Sequence, residues 1–170
     1  MASVPLPSRR ACLRAGLGAG VGLLFAPAPG CRRQAPTQPP AADGTLALQP
    51  PDAVFQQTVA GHVAVIDFWA TWCEPCRTSI PKVIAFARQS RERGVVVVGM
   101  HVGHGFEQAL QFAADSGIDY PLFADPDYRV SDRYAARRVP TVLALGRDGA
   151  VLYRGDEVDD GLRRAVDAAL

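Results

Sequence analysis

The chain has 170 residues, 48% of them apolar and 21% charged, with a formal net charge of +1. This composition is globular, which excludes a disordered or fibrous chain, and the near-zero charge gives no electrostatic basis for nucleic-acid binding. The balance is uneven, however: residues 1–45 hold five Arg against one Asp, residues 46–170 carry a net charge of −3, and nine of the 14 prolines fall at or before Pro51. Two objects are therefore joined, a front segment and a folding domain of about 120 residues, long enough to bury a core without metals or staples.

Met1 to Arg14 is polar and basic, and Ala15 to Gly30 carries no charge. That is the layout of an export signal, and the apolar stretch is too short and too rich in Gly and Pro for a transmembrane helix. The run Ser8-Arg9-Arg10-Ala11-Cys12-Leu13-Arg14 resembles a twin-arginine signal, with Cys12 and Arg14 where that pattern favours Phe and Lys. An ordinary basic region before a general secretion signal is the alternative. Ala28-Pro29-Gly30-Cys31 resembles a lipoprotein processing box, which would leave Cys31 lipidated at the mature N-terminus. Cleavage after Ala26-Pro27-Ala28 and an uncleaved anchor are the competing readings, and all three export the protein. The predicted organisation is an export signal over 1–30, a Pro-rich tether over 31–51 and a folded domain over 52–170.

Within the domain, Val63 to Ala70 is a nearly continuous apolar run and predicts a strand buried on both faces, with Asp67 its one charge. Ile80, Val83, Ile84 and Ala87 fall at helical spacing after Cys73, and Gly94 ends that helix, with Pro81 inside it. Val95 to Val102 predicts a second buried strand, and Phe106 to Ser116 a helix stopped by Gly117. Tyr120 to Ala124 reads as a short strand and Tyr128 to Arg137 as a helix. Thr141 to Leu145 and Ala150 to Arg154 flank Arg147-Asp148-Gly149 as a hairpin, and Leu162 to Leu170 closes the chain as a helix with Val166 inward. Strands alternating with helices specify an α/β fold, a central sheet covered on both faces.

Four cysteines are present: Cys12, Cys31, Cys73 and Cys76. The first two belong to the front segment, which leaves the domain a lone C-x-x-C pair. A zinc site would need a second half, and no His stands at finger spacing downstream. A disulfide closing so short a loop adds little chain-entropy stability, so redox chemistry explains the pair better than a structural role. His101 and His104, near Met100, raise the question of a copper site, but their spacing at a strand end and loop aligns them on no regular face. They are predicted to play a surface or loop role.

Val65-Ile66-Asp67-Phe68-Trp69-Ala70-Thr71-Trp72-Cys73-Glu74-Pro75-Cys76 resembles the active-site strand and turn of the thioredoxin superfamily. Arg138-Val139-Pro140-Thr141 resembles that family's cis-proline loop. An additional strand and helix between Val95 and Asp125 are similar to the insertion of its membrane-tethered TlpA/ResA-like branch. The resemblance implies a thioredoxin-like fold with an inserted strand–helix unit and a redox disulfide between Cys73 and Cys76. It also implies an extracytoplasmic thiol:disulfide oxidoreductase that reduces protein disulfides, for example in cytochrome c or copper-centre assembly. Cys73 would attack from a helix N-terminus, which stabilises its thiolate, and Cys76 would resolve the mixed disulfide. Asp67 would act as the base for Cys76, with a carboxylate paired to an Arg as the plain alternative. Trp72, Val139 and Pro140 would form the contact surface for substrate, with Trp69 as apolar cover. Where ResA-like proteins often carry Glu three residues after the second Cys, this chain has Ser79.

The implied partners are a disulfide-bearing protein, a membrane electron donor and, through Cys31, a lipid anchor. The chain is expected to be a monomer with no cofactor, no resident metal and no nucleic-acid partner. A copper-binding metallochaperone using the dithiol is the alternative function, although Sco-type copper proteins use C-x-x-x-C. A thiol peroxidase would need Pro and Thr at positions 66 and 70, where the chain has Ile66 and Ala70.

Overall fold

A computed structural model describes residues 48–49 and 53–170. The export signal, Cys12, Cys31 and nearly all of the tether lie outside the described residues. The elements are β1 (Leu48–Gln49), α1 (Ala53–Val59), β2 (Ala64–Trp69), α2 (Glu74–Ser90), β3 (Val96–Val102), α3 (Phe106–Ser116), β4 (Leu122–Asp125), α4 (Arg129–Arg133), β5 (Thr141–Leu145), β6 (Val151–Gly155) and α5 (Asp160–Ala169). They form one mixed sheet in the order β1-β4-β3-β2-β5-β6. β1 to β4 run parallel, β5 is antiparallel to β2, and β6 is antiparallel to β5.

The apolar strands follow from burial on both faces. Along β2, Val65 and Trp69 join the core under α2, α3 and α5, whereas Ala64, Ile66 and Phe68 join the core under α1 and α4. This two-residue alternation divides β5 in the same way, with Val142 and Ala144 on the first face and Leu143 and Leu145 on the second. The helices mirror it: Ile80, Val83, Ile84 and Ala87 of α2 are all buried in the first core.

Several boundaries differ from the sequence expectation, each for a local reason. Residues assigned to the tether include Leu48–Gln49, which pair in parallel with Leu122 and Phe123 and extend the sheet. Helix α1 was not anticipated; Phe55 and Val59, four residues apart, bury its one apolar face. The helix expected over 128–137 shrinks to Arg129–Arg133, because Ala135 takes a left-handed backbone (φ 50°) and turns the chain toward the Pro140 loop. The final helix begins earlier than Leu162, since Asp159 caps it by accepting the Leu162 N–H at 2.8 Å.

His101 is the largest departure. It is fully buried within β3, not on the surface or in a loop. Strand register sets it opposite Trp69, whose ring meets the imidazole edge-on at 5.0 Å, and Phe106 lies 6.2 Å away. Neither ring nitrogen finds a hydrogen-bond partner among the described residues, and burial pulls the pKa down to about 4. His104 is exposed in the following loop.

Candidate active site

Cys73 stands at the junction of β2 and α2. The loop Ala70–Trp72 leads out of the strand, and Cys73 then caps the helix with an extended backbone. Its Sγ accepts the Cys76 backbone N–H at 3.2 Å. Pro75 fits the first turn because that position needs no intrahelical N–H bond. Unpaired N–H groups and the positive end of a 17-residue helix therefore surround this sulfur, which favours a thiolate there. Cys76 sits one turn inside, and the two cysteines form a disulfide with Cα atoms 5.3 Å apart.

The attacking role expected of Cys73 calls for a sulfur that faces solvent. In this oxidised form both cysteines are buried, Cys73 at 3% exposure and Cys76 at 1%. Packing on the sheet side covers them nearly equally, so what distinguishes them is electrostatic: Cys73 alone holds the helix cap. Glu74 is exposed and pairs with Arg77 at 3.3 Å; Arg77 also donates to the Thr71 carbonyl and lies over the Phe112 ring. Trp72 is 69% exposed beside Cys73, whereas Trp69 is wholly buried in the core.

The Val139–Pro140 peptide is cis and precedes β5. Val139 packs at the margin of both cores, and the Thr141 hydroxyl donates to the Arg138 carbonyl at 2.6 Å, closing the loop locally. A cleft of about 380 Å³ runs between this loop and α2, lined by Pro75, Thr78, Ser79, Lys82 and Pro140 and by Asp156 and Glu157 after β6. Lys82 and Glu157 are joined by an ion pair across it. Ser79 is buried and donates to the Cys76 carbonyl at 3.1 Å, so it serves the helix backbone and carries no proton for the thiols.

Asp67 lies in the middle of β2 on the same face as Val65 and Trp69, the face that α2 and its cysteines cover. It is fully buried, and among the described residues no Arg pairs with it. Its partner is Tyr120, whose hydroxyl donates to Asp67 Oδ2 at 3.3 Å, while Oδ1 is without a partner among the described residues. Burial pushes the carboxyl pKa up to about 7, against the smaller lowering effect of the Tyr120 hydrogen bond.

Two residues of this layer escaped sequence reasoning. The sequence marks Tyr120 only as a strand residue. Gly99, inside an otherwise apolar strand, is the register partner of Asp67. An isolated glycine in a strand marks close approach of a neighbour, and that signal was present in the sequence.

The Redoxin family model matches residues 23–170. The thiol-disulfide oxidoreductase ResA of Bacillus subtilis (strain 168) is 29% identical over 92 residues, covering 54% of this chain and 51% of that protein. The thiol:disulfide interchange protein HelX of Rhodobacter capsulatus is 28% identical over 113 residues, covering 65% of this chain and 62% of that protein. The chain thus spans about half the length of ResA. Among solved structures, MTB dsbF, described in mixed oxidized and reduced forms, superimposes with a TM-score of 0.60 at 26% identity, covering 67% of this chain and 85% of that one.

Proposed function

We propose a function from one premise: this chain belongs to the Redoxin family, as a TlpA/ResA-like member of the thioredoxin superfamily. It is a thiol:disulfide oxidoreductase, and the direction we assign is reduction of protein disulfides outside the cytoplasm. The observation that carries the reading is the Cys73–Cys76 disulfide at the N-terminus of α2, with a cis Val139–Pro140 loop in the same region of the fold.

In the reduced protein, the Cys73 thiolate attacks one sulfur of the client disulfide and expels the other as a thiolate. Cys76 loses its proton to Asp67, and its thiolate attacks Cys73 Sγ. That step forms the disulfide seen here and releases the second client thiolate. The client gains two electrons from the cysteine pair, and its two thiolates take up two protons, matching the one Cys73 gave to solvent on ionising and the one Cys76 passes on through Asp67; a membrane electron donor restores the dithiol. Val139, held at the loop, offers its backbone to an extended client segment, and exposed Trp72 offers an apolar contact beside the attacking sulfur. For clients, the TlpA/ResA-like resemblance points to apocytochrome c or proteins of copper-centre assembly.

The redox potential tests the direction. Glu74 opposes a thiolate at Cys73, although its ion pair with Arg77 and its exposure weaken the effect. The expected potential is therefore nearer about −270 mV than about −120 mV, measured by equilibration with glutathione buffers. A value above about −150 mV would make the protein an oxidant and overturn the proposed direction.

The front segment makes this activity membrane-bound: an export signal over 1–30, lipid on Cys31 and a Pro-rich tether. Labelled lipid is expected in the wild-type protein and absent from Cys31→Ser, with redox activity unchanged between them. An intact mass matching an unmodified chain that begins at Pro29 would sink the anchor while leaving export intact.

A further inference from the structure

We propose that Tyr120 is a positioning residue for the resolving step: its hydroxyl holds Asp67 Oδ2, leaving Oδ1 as the oxygen that exchanges a proton, and Gly99 is the residue that admits it. The inference rests on the reading of Asp67 as the base for Cys76.

The space at this point is built by the sheet itself. Gly99 lies between Asp67 of β2 and Leu122 of β4 in register, and its N–H donates to the Pro121 carbonyl at 2.9 Å. A side chain at this position would bring a Cβ within 2.5 Å of Leu122 Cδ2 and within 3.1 Å of both Trp69 Nε1 and a Tyr120 ring carbon. A Cβ here would collide with Leu122 and press on the Tyr120 ring, so glycine leaves the ring room to pass over β3 and reach the strand beyond. The ring arrives from the segment just before β4 and ends on a carboxylate that no cation neutralises among the described residues.

Toward an ionised Asp67, Tyr120 can only donate. Burial, and then the charge of Asp67, raise its pKa well above 10, so it stays a neutral phenol wherever Asp67 titrates. Its hydrogen bond favours the ionised carboxylate, which burial alone disfavours. The other titratable groups of the layer are few. The two cysteines come from α2, and His101 lies two register pairs along β3 on the same face. From β5 only Val142 stands opposite Asp67. Behind Tyr120, Asp119 is held on the surface by Arg88 at 3.0 Å and Arg91 at 3.4 Å.

The test compares wild type, Tyr120→Phe and Asp67→Asn in the full chain. Asp67 is titrated through its carboxyl ¹³C resonance in the oxidised protein, where no thiol titrates nearby; the resonance is assigned by its loss in Asp67→Asn. Tyr120→Phe should move the Asp67 midpoint upward by about one pH unit, a tenfold loss of carboxylate on the acid side. In single turnovers of the reduced protein, the same variant should slow resolution several-fold near pH 7, approach wild type near pH 9, and leave the initial attack unchanged. A purely structural tyrosine would lower the melting temperature and move neither profile, and an unshifted midpoint overturns the proposal. If Asp67→Asn resolves mixed disulfides at the wild-type rate, the base reading fails, whatever the midpoint in Tyr120→Phe shows. Should Tyr120→Phe not fold, replacement of all tyrosines by 3-fluorotyrosine supplies a stronger donor; the Asp67 midpoint should then fall, and a constant one again overturns the proposal.

Discussion

Cys73→Ser is expected to lower insulin-type disulfide reduction by on the order of 10³-fold or more, because it removes the group that attacks the client. Cys76→Ser should also stop turnover, but at a later point. Its Cys73 still attacks, and with no second thiol to displace the client a mixed disulfide accumulates. That species can be isolated on a non-reducing gel and identified by mass, which makes Cys76→Ser the variant that names the client. The asymmetry comes from the helix cap: Sγ of Cys73 receives the first-turn N–H at 3.2 Å, and Cys76 sits inside the turn. Both sulfurs are buried in the disulfide, so the distinction should show in thiol reactivity after reduction. If Cys76 is alkylated faster than Cys73 at neutral pH, the two roles are reversed.

Asp67→Asn is expected to stabilise the oxidised protein by up to about 4 kcal/mol at pH 8 and by almost nothing at pH 4. In the unfolded chain this carboxyl ionises near its ordinary 3.8; in the folded chain burial delays ionisation to about 7. Below pH 3.8 both states hold the proton, and the residue contributes no pH dependence. Between the two values the folded form keeps a proton that the unfolded form has lost, so stability falls as pH rises. Above 7 both are ionised, and the full cost of burying the charge remains. His101 shows the opposite behaviour, because its pKa falls from 6.5 to about 4 and acid destabilises the fold. It is present in both proteins and cancels from their difference. Denaturant midpoints of the two proteins at pH 4 and pH 8 measure that difference, and an equal gap at both pH values would refute a buried ionising Asp67. Stabilisation of this kind, in a variant that resolves mixed disulfides slowly, marks a residue retained for chemistry at the expense of stability.

Much of this protein is legible along the chain because the signals are local. Continuous apolar runs in Val63–Ala70 and Val95–Val102, helical spacing after Cys73, and Gly117 as a stop each depend on neighbours in sequence, and each element appears where expected. The W-C-x-x-C and V-P-T segments are equally local, since a helix cap and a proline turn are made by adjacent residues. Contacts between distant segments could not be read this way. The two-residue strand β1 exists only because β4 offers an open edge, and α4 stops at Arg133 because Ala135 must turn toward the Pro140 loop. Strand register likewise decides the burial of His101 and the pairing of Asp67 with Tyr120, which are 53 residues from each other along the chain. A carboxylate in the run Ile66-Asp67-Phe68 announces burial by itself. What satisfies it, and at which pH it ionises, depend on which strand lies two places away and on a glycine between them too small to block the approach.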